Sequence, residues 1–410
     1  MSRFPIGDTF PLLPESELLV WCARTVVTDD LKACIRKRVQ ESLDWSVVLD
    51  MAQYHGVVPL LYRTLSAIAA ELIPPESLSR LRKKTQVGVL LNRSLAQELV
   101  VLCEAFTARE VPIIPIKGAT LAVLAYGDLA LRDFTDLDLL IPEASIVDAQ
   151  RVLLSQGYER KGDSVERSRI KDDEGPYHVY IKKRGLSRVD LQWMMAHQHF
   201  AFRLDRPEVW QRRIPVAFEN HTIQGLAPED LLIVLCVHGS KHAWELLKWV
   251  CDVAELLRAQ PALDWERCFA TASHWRCLRM LYMGLFLAHQ LLDAPLPRMV
   301  LERLKKDSDV PALSHRMPAS LLANSQDGIS EEQAGALYFS LKDSWWERWS
   351  LGLTLSRAHS PLATTPPSWF RWRNSLPRLA NFIIPAHRVM KRLLSPTIRG
   401  AINRLVAQSG

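Results

Sequence analysis

Apolar positions recur along this chain with two different periods. From Glu15 to Thr25, Asp29 to about Ser42, Trp45 to His55, Val57 to Ile68 and Glu76 to Thr107, they return at intervals of three and four. That is the spacing of helices with one buried face. Asp44 stands at the N-cap position of the third segment, whose Val47, Val48, Met51 and Ala52 share a side. Tyr54-His55-Gly56 closes it and reads as packing and a C-cap rather than a site.

The period changes at Ile113. Ile113 to Ile116 is a short apolar run and predicts a buried strand. Lys117-Gly118 breaks it, and Ala119 to Tyr126 predicts a short helix ended by Gly127. Asp136 to Ile141 alternates and is closed by Pro142. Side chains on a strand share a face at every second residue, so Asp136 and Asp138 point one way and Leu137 and Leu139 point into a core. Pro142 to Gln156 predicts a helix, 159–176 an exposed loop, and Tyr177 to Ile181 a strand. After a turn at Gly185-Leu186-Ser187, the strand Ser187 to Met195 carries Asp190 and Gln192 on one face and Val189, Leu191 and Trp193 on the other. Such a hairpin sets Asp190 beside Asp136 and Asp138.

Residues 196–226 are less regular. Leu226 to Arg258 reads as helical, with Pro228, Glu229 and Asp230 at its start. On it Lys241, Glu245, Lys248 and Asp252 form one stripe, against a buried face of Leu246, Leu247, Val250, Val253, Ala254 and Leu257. Trp265 to Leu292 predicts a helix pair. Loops around short helices follow at 294–330, then an amphipathic helix over 331–356 and a Pro/Ser/Thr-rich linker over 359–369.

The expected fold class is therefore α+β: a small mixed-sheet core over 109–225, embedded in a helical region (1–108), a helical domain (226–358) and a basic tail (359–410). A length of 410 residues suits two or three domains. No apolar run approaches a membrane span and no leader pattern opens the chain, so a cytoplasmic protein is expected. Seven cysteines without a Cys-x-x-Cys pair read as reduced, buried thiols. The formal charge of +6 is uneven: Leu351 to Gly410 holds nine Lys/Arg and no Asp or Glu, leaving the first 350 residues at −3. The body thus gives no electrostatic reason for a nucleic-acid partner. The tail's pattern suits RNA or the periphery of an anionic membrane, and suits better a basic helix packed on the acidic body.

Two carboxylates on one strand face repel, which costs stability unless a cation joins them or one keeps its proton. A divalent metal is the simplest reason to tolerate them; two solvated residues at a strand end are the bland alternative. His238 and His242 lie four apart but lack an evident third ligand, and nothing at ligand spacing joins His197 and His199. Serine-hydrolase and P-loop chemistry have no motif here.

The stretch Lys117-Gly118 … Tyr126-Gly127-Asp128 … Arg132 … Asp136-Leu137-Asp138-Leu139-Leu140 resembles the bacterial uncharacterised nucleotidyltransferase family, a branch of the superfamily with the polymerase-β-type fold. The likeness runs over roughly residues 40–300. It implies a third carboxylate on a later strand, which Asp190 supplies, with Gln192 where the family often has His. It implies two Mg²⁺ held by Asp136, Asp138 and Asp190, an NTP as substrate, and a hydroxyl acceptor on a small molecule, sugar or peptide. Lys117, Gly118 and Thr120 would then meet the phosphates, Lys241 and Lys248 the triphosphate, Arg132 a phosphate or the acceptor, and Asp252 would help to orient the acceptor. For Arg132 a salt bridge with Asp128 or Asp133 is the structural alternative. A non-catalytic nucleotide-binding protein and an RNA-modifying transferase remain the competing readings.

Overall fold

The chain enters its fold through four helices: α1 (Pro14–Cys22), α2 (Asp29–Val39), α3 (Trp45–Tyr54) and α4 (Val58–Ile68). The computed structural model describes residues 12–161, 177–182, 187–194, 202–218, 220–307 and 340–341. His197, His199, most of the 159–176 loop, the 331–356 helix and the tail lie outside the described residues. Two of the first helices are fastened by side-chain caps, of which the sequence pointed to Asp44. Thr28 accepts from the Leu31 N–H, and Asp44 from those of Ser46 and Val47; caps of this kind contribute about 1 kcal/mol each. Gly56, at φ +67°, ends α3.

The long helix α5 (Pro75–Thr107) leads into a five-stranded mixed sheet. Its strands are β1 (Ile114–Pro115), β2 (Leu137–Leu140), β3 (Tyr158–Arg160), β4 (Tyr177–Lys182) and β5 (Arg188–Gln192), in the order β1-β2-β5-β4-β3. The β2–β5 pair is parallel and the other three are antiparallel. Helix α6 (Ile146–Ser155) returns the chain from β2 to β3. Leu137, Leu139, Val189 and Leu191 are buried with Leu99, Phe106 and Val152 in the core of this layer.

Helix α7 (Pro207–Arg212) and an antiparallel hairpin, β6 (Ile214–Phe218) with β7 (His221–Gly225), occupy a region read as irregular from sequence. The alternation Ile214, Val216, Phe218 was present; the two residues between the strands, Glu219-Asn220, include no glycine to announce a hairpin.

The remaining helices are α8 (Pro228–Lys241), α9 (Leu247–Ala259), α10 (Trp265–His274), α11 (Leu278–Leu292) and α12 (Arg298–Lys306). Helices α8, α9 and α11 share a second core with α1–α4. The expected continuous helix over 226–258 is thus two helices. Ala243 and Trp244 take left-handed backbone angles, φ +52° and +54°, and the Trp244 N–H donates to the Gly239 carbonyl at 2.8 Å. The indole folds back onto its own helix, fully buried in a slot made by Gly239 and Gly284. A Cβ at either glycine would lie 2.5 or 3.0 Å from the ring. Two non-glycine left-handed residues cost roughly 2–4 kcal/mol. Burying the tryptophan returns about 4–6 kcal/mol, less about 1–3 kcal/mol for its buried, unbonded indole N–H, a net gain of the same order as the backbone cost. The single stripe of Lys241, Glu245, Lys248 and Asp252 does not exist: Lys241 ends α8, and Lys248 and Asp252 belong to α9.

All seven cysteines are free thiols, five of them buried. Among the described residues no helix is long and apolar enough to cross a membrane.

Candidate active site

The site forms where the interior strands β2 and β5, which carry the acids, meet side chains from α8 and α9. Asp138 and Asp190 are register partners on the parallel strands β2 and β5, so both carboxylates emerge on the same face. Each residue is 8% exposed. Asp136 lies just before β2. Burial and the neighbouring Asp138 carboxylate raise its pKa above the ordinary aspartate value. Asp138 and Asp190 are thus set side by side with Asp136 two residues ahead, and repulsion from Asp138 adds to burial in raising Asp136.

Basic side chains answer the carboxylates. Lys117 Nζ lies 3.1 Å from Asp138 Oδ2. Arg188 holds Asp190 with two bonds of 2.7 Å, from Nε and Nη2. Gln192 Nε2 donates to Asp138 Oδ1 at 2.5 Å. Arg188, Asp190 and Gln192 alternate on one face of β5, so the arginine was legible by the rule that found the acids. With the carboxylates turned to these partners, no group of three or more Asp, Glu, His or Cys side chains among the described residues is gathered as a ready-made metal site. The donor set itself suits Mg²⁺, a hard cation bound by carboxylate oxygens. The crowding that raises Asp136 would be relieved by a cation.

Lys117 is aimed by a turn that only glycine permits. Gly118 has φ +61° and ψ −125°, and the backbone passes 3.5 Å from where its Cβ would be, at the Asp136 carbonyl. Thr120, expected to meet phosphate, is buried and donates its hydroxyl to the Lys117 carbonyl at 2.9 Å, so it fastens this turn. The helix that follows is one α-turn, Ala119–Leu121, running into a π-turn, Ala122–Tyr126, that Gly127 ends at φ +70°.

Arg132 is not paired with Asp128 or Asp133. It makes a bidentate ion pair with Asp252 on α9, at 2.7 and 2.9 Å, and Tyr126 Oη donates to the same carboxylate at 2.7 Å. Burial opposes the charge on Arg132, but Asp252 outweighs it and raises its pKa. Asp252, expected to orient an acceptor, is 1% exposed and spent on this triad. Asn92 on α5 pins the same segment: its amide donates to the Leu129 and Arg132 carbonyls and accepts from the Phe134 N–H. Nothing in the periodicity of α5 marked Asn92 except a polar residue at a buried position.

Lys241 and Lys248 come from α8 and α9 on the far side. Burial lowers the pKa of both, with Lys117 adding to the effect at Lys241 and Arg132 at Lys248. Cations crowded in this way favour an anionic ligand. His238 Nδ1 lies 3.5 Å from Lys117 Nζ, and the His242 ring stacks on Trp249 with centroids 5.0 Å apart.

Burial holds both histidines neutral, with His238 well below its ordinary pKa and His242 pulled down to about 3. Burial also lowers the His55 pKa, to about 4. In the unfolded chain these groups take up protons near pH 6.5, before the folded chain does. Stability is therefore full above that pH and is lost as pH falls from about 6.5 towards 4, by up to about 1.4 kcal/mol per pH unit for each histidine. Urea denaturation at pH 7.5 and 5.5 checks this. An unchanged midpoint would mean that the rings are not neutral in the fold.

The model of a protein family described as uncharacterised nucleotidyltransferase matches residues 41–293. No curated protein matches the chain. Among solved structures, the chain is similar to ANT(2'')-Ia in complex with adenylyl-2''-tobramycin: TM-score 0.33, 11% identity, 45% of this chain and 97% of that one. A solution structure of ANT(2'')-Ia gives TM-score 0.33 and 12% identity, over 48% and 98% of the two chains. An antigenic nucleotidyltransferase-like protein from Paracoccidioides brasiliensis gives TM-score 0.31 and 16% identity, over 51% and 96%.

Proposed function

The chain belongs to the uncharacterised nucleotidyltransferase family, and from that premise we propose that it moves a nucleoside monophosphate from an NTP to a hydroxyl acceptor in a Mg²⁺-dependent reaction. The observation that carries this is the register of Asp138 with Asp190, with Asp136 two residues ahead and lysines 117, 241 and 248 around them. Two buried acids in register, with a third two residues ahead, repel one another, and binding of an anionic nucleotide without a cation has no use for them.

Asp136, Asp138 and Asp190 would hold Mg²⁺, which when bound neutralises phosphate oxygens and lowers the pKa of a coordinated hydroxyl. The rest falls to the chain. Lys117 leaves Asp138 and turns to the phosphates, while Arg188 gives up part of its hold on Asp190. Lys241 and Lys248 neutralise the triphosphate from the helical side. Gly118 lets the backbone approach, with Thr120 keeping the turn rigid. Arg132 contributes through Asp252, by holding the segment that leads into β2. The acceptor oxygen bonds to the α-phosphorus as the α–β bridge breaks, its proton passes to the acid cluster, and pyrophosphate leaves.

Incubation with each α-labelled NTP, Mg²⁺ and host extract tests the proposal. Label moved to an acceptor, in a reaction stopped by chelation, is the expected result, and it identifies both nucleotide and acceptor. Binding of NTP without transfer under any acceptor fraction would favour a non-catalytic nucleotide-binding role. Absence of NTP binding would sink the site as read.

A further inference from the structure

We propose that the Tyr54-His55-Gly56 turn, at the end of α3 in the N-terminal helical region, is a positioning element that seats Lys248 for the triphosphate. This rests on the nucleotidyltransferase reading above.

The contacts between this turn and the start of α9 are specific. The His55 carbonyl accepts the Lys248 N–H at 3.2 Å. His55 Nδ1 lies 3.4 Å from the Leu247 N–H and accepts from it. The Tyr54 hydroxyl donates to Glu245 in the loop between α8 and α9. One turn thus grips three of the four residues from Glu245 to Lys248.

Gly56 then makes room for the lysine itself. A Cβ at Gly56 would lie 2.7 Å from Lys248 Cδ and 3.6 Å from its Cβ and Cγ. The lysine stem therefore lies across the bare backbone of Gly56. The lysine belongs to the first turn of α9, one turn before Asp252, and burial raises the Asp133 pKa with the Lys248 charge opposing it. Asp133 has a matching slot on α5, where a Cβ at Gly88 would come within 2.8 Å of Asp133 Oδ1. Two glycines of the N-terminal region lie beneath the two charged groups next to the acids.

A long cationic stem loses rotamer freedom when it binds an anion, and holding it in place beforehand reduces that loss. The helical region before the sheet is then a wall of the site, not a separate packing module.

The test is calorimetric titration of the full chain with magnesium tripolyphosphate, which removes any dependence on the base. Lys248→Ala and Gly56→Ala are each expected to weaken binding about tenfold, and the double variant to be no weaker than either. Alanine at φ +67° is strained, so Tyr54→Phe serves as a second variant that removes only a half-exposed contact. It is expected to weaken binding about threefold, and to have no effect once Lys248 is alanine. Normal binding by Gly56→Ala or Tyr54→Phe, or effects that add to that of Lys248→Ala, would overturn the proposal while leaving the site intact. If the wild type does not bind tripolyphosphate, the site reading and this inference fall together. If Lys248→Ala binds as the wild type does, the inference falls and Lys248 leaves the proposed site, while the acids, Lys117 and Lys241 keep their roles.

Discussion

Replacing Asp138 with asparagine is expected to reduce nucleotidyl transfer on the order of 10³-fold, measured as kcat/KM for label moved from NTP to acceptor. The substitution keeps the volume and the Gln192 contact on one oxygen, but removes the charge that faces Lys117 at 3.1 Å. It also removes the middle member of the acid cluster, the one in register with Asp190. Because the change is isosteric, and because it relieves the repulsion with Asp136 while it leaves Lys117 without its partner, the thermal midpoint should move little. A loss of less than tenfold would take Asp138 out of the reacting machinery. It would leave its pair with Lys117 as an ordinary buried ion pair.

Asp252→Ala is expected to have the largest effect on stability. It strands the buried Arg132 guanidinium and leaves the Tyr126 hydroxyl without its acceptor. Breaking a buried pair by removing one partner costs about 3–5 kcal/mol, because the surviving charge stays desolvated. Urea denaturation reads this directly. Replacing both partners with apolar residues, Arg132→Met with Asp252→Leu, should recover most of the loss. A loss of less than 1 kcal/mol in the single variant would mean that Arg132 finds solvent or another anion. The ion pair would then not be what orders residues 129–134 ahead of the acids.

These two cases differ in how they could be read from the chain. Asp136, Asp138 and Asp190 were visible because strand geometry has a strict period of two, so polar residues interleaved with Leu137, Leu139, Val189 and Leu191 declare their face. Arg188 obeys the same rule and was equally legible, although the strand alone does not say that it would fold onto Asp190. Arg132–Asp252 was not legible. The local alternatives, Asp128 and Asp133, are closer along the chain, but Asp128 caps the 129–131 turn by accepting from the Ala130 N–H. Asp133 turns towards Gly88. The partner comes from a helix 120 residues away.

The break between α8 and α9 was hidden for a related reason. His242 to Leu246 contains no glycine or proline, and its local pattern continues a helix. The indole of Trp244 is buried in the Gly239–Gly284 slot, and that burial offsets the backbone cost of the break. That break separates Lys241 from Lys248, and so turns one expected stripe into two approaches to the site. Tyr54-His55-Gly56 was read correctly as a C-cap and packing motif. What it packs against is set by the path of α9, which local periodicity does not carry.

By itself, then, the sequence determined most of the helices, where the Lys117-Gly118 turn breaks the chain, and which face of its strand each of Asp138 and Asp190 occupies. Those properties depend on neighbours within a few residues, through backbone sterics and side-chain period. The tertiary structure alone decided which cation faces which acid, that the chain breaks between α8 and α9, that the end of α3 meets the start of α9, and that α5 holds the 129–134 segment. Those outcomes depend on burial and charge pairing between residues far apart in the chain, whose free energies exist only once the helices have packed.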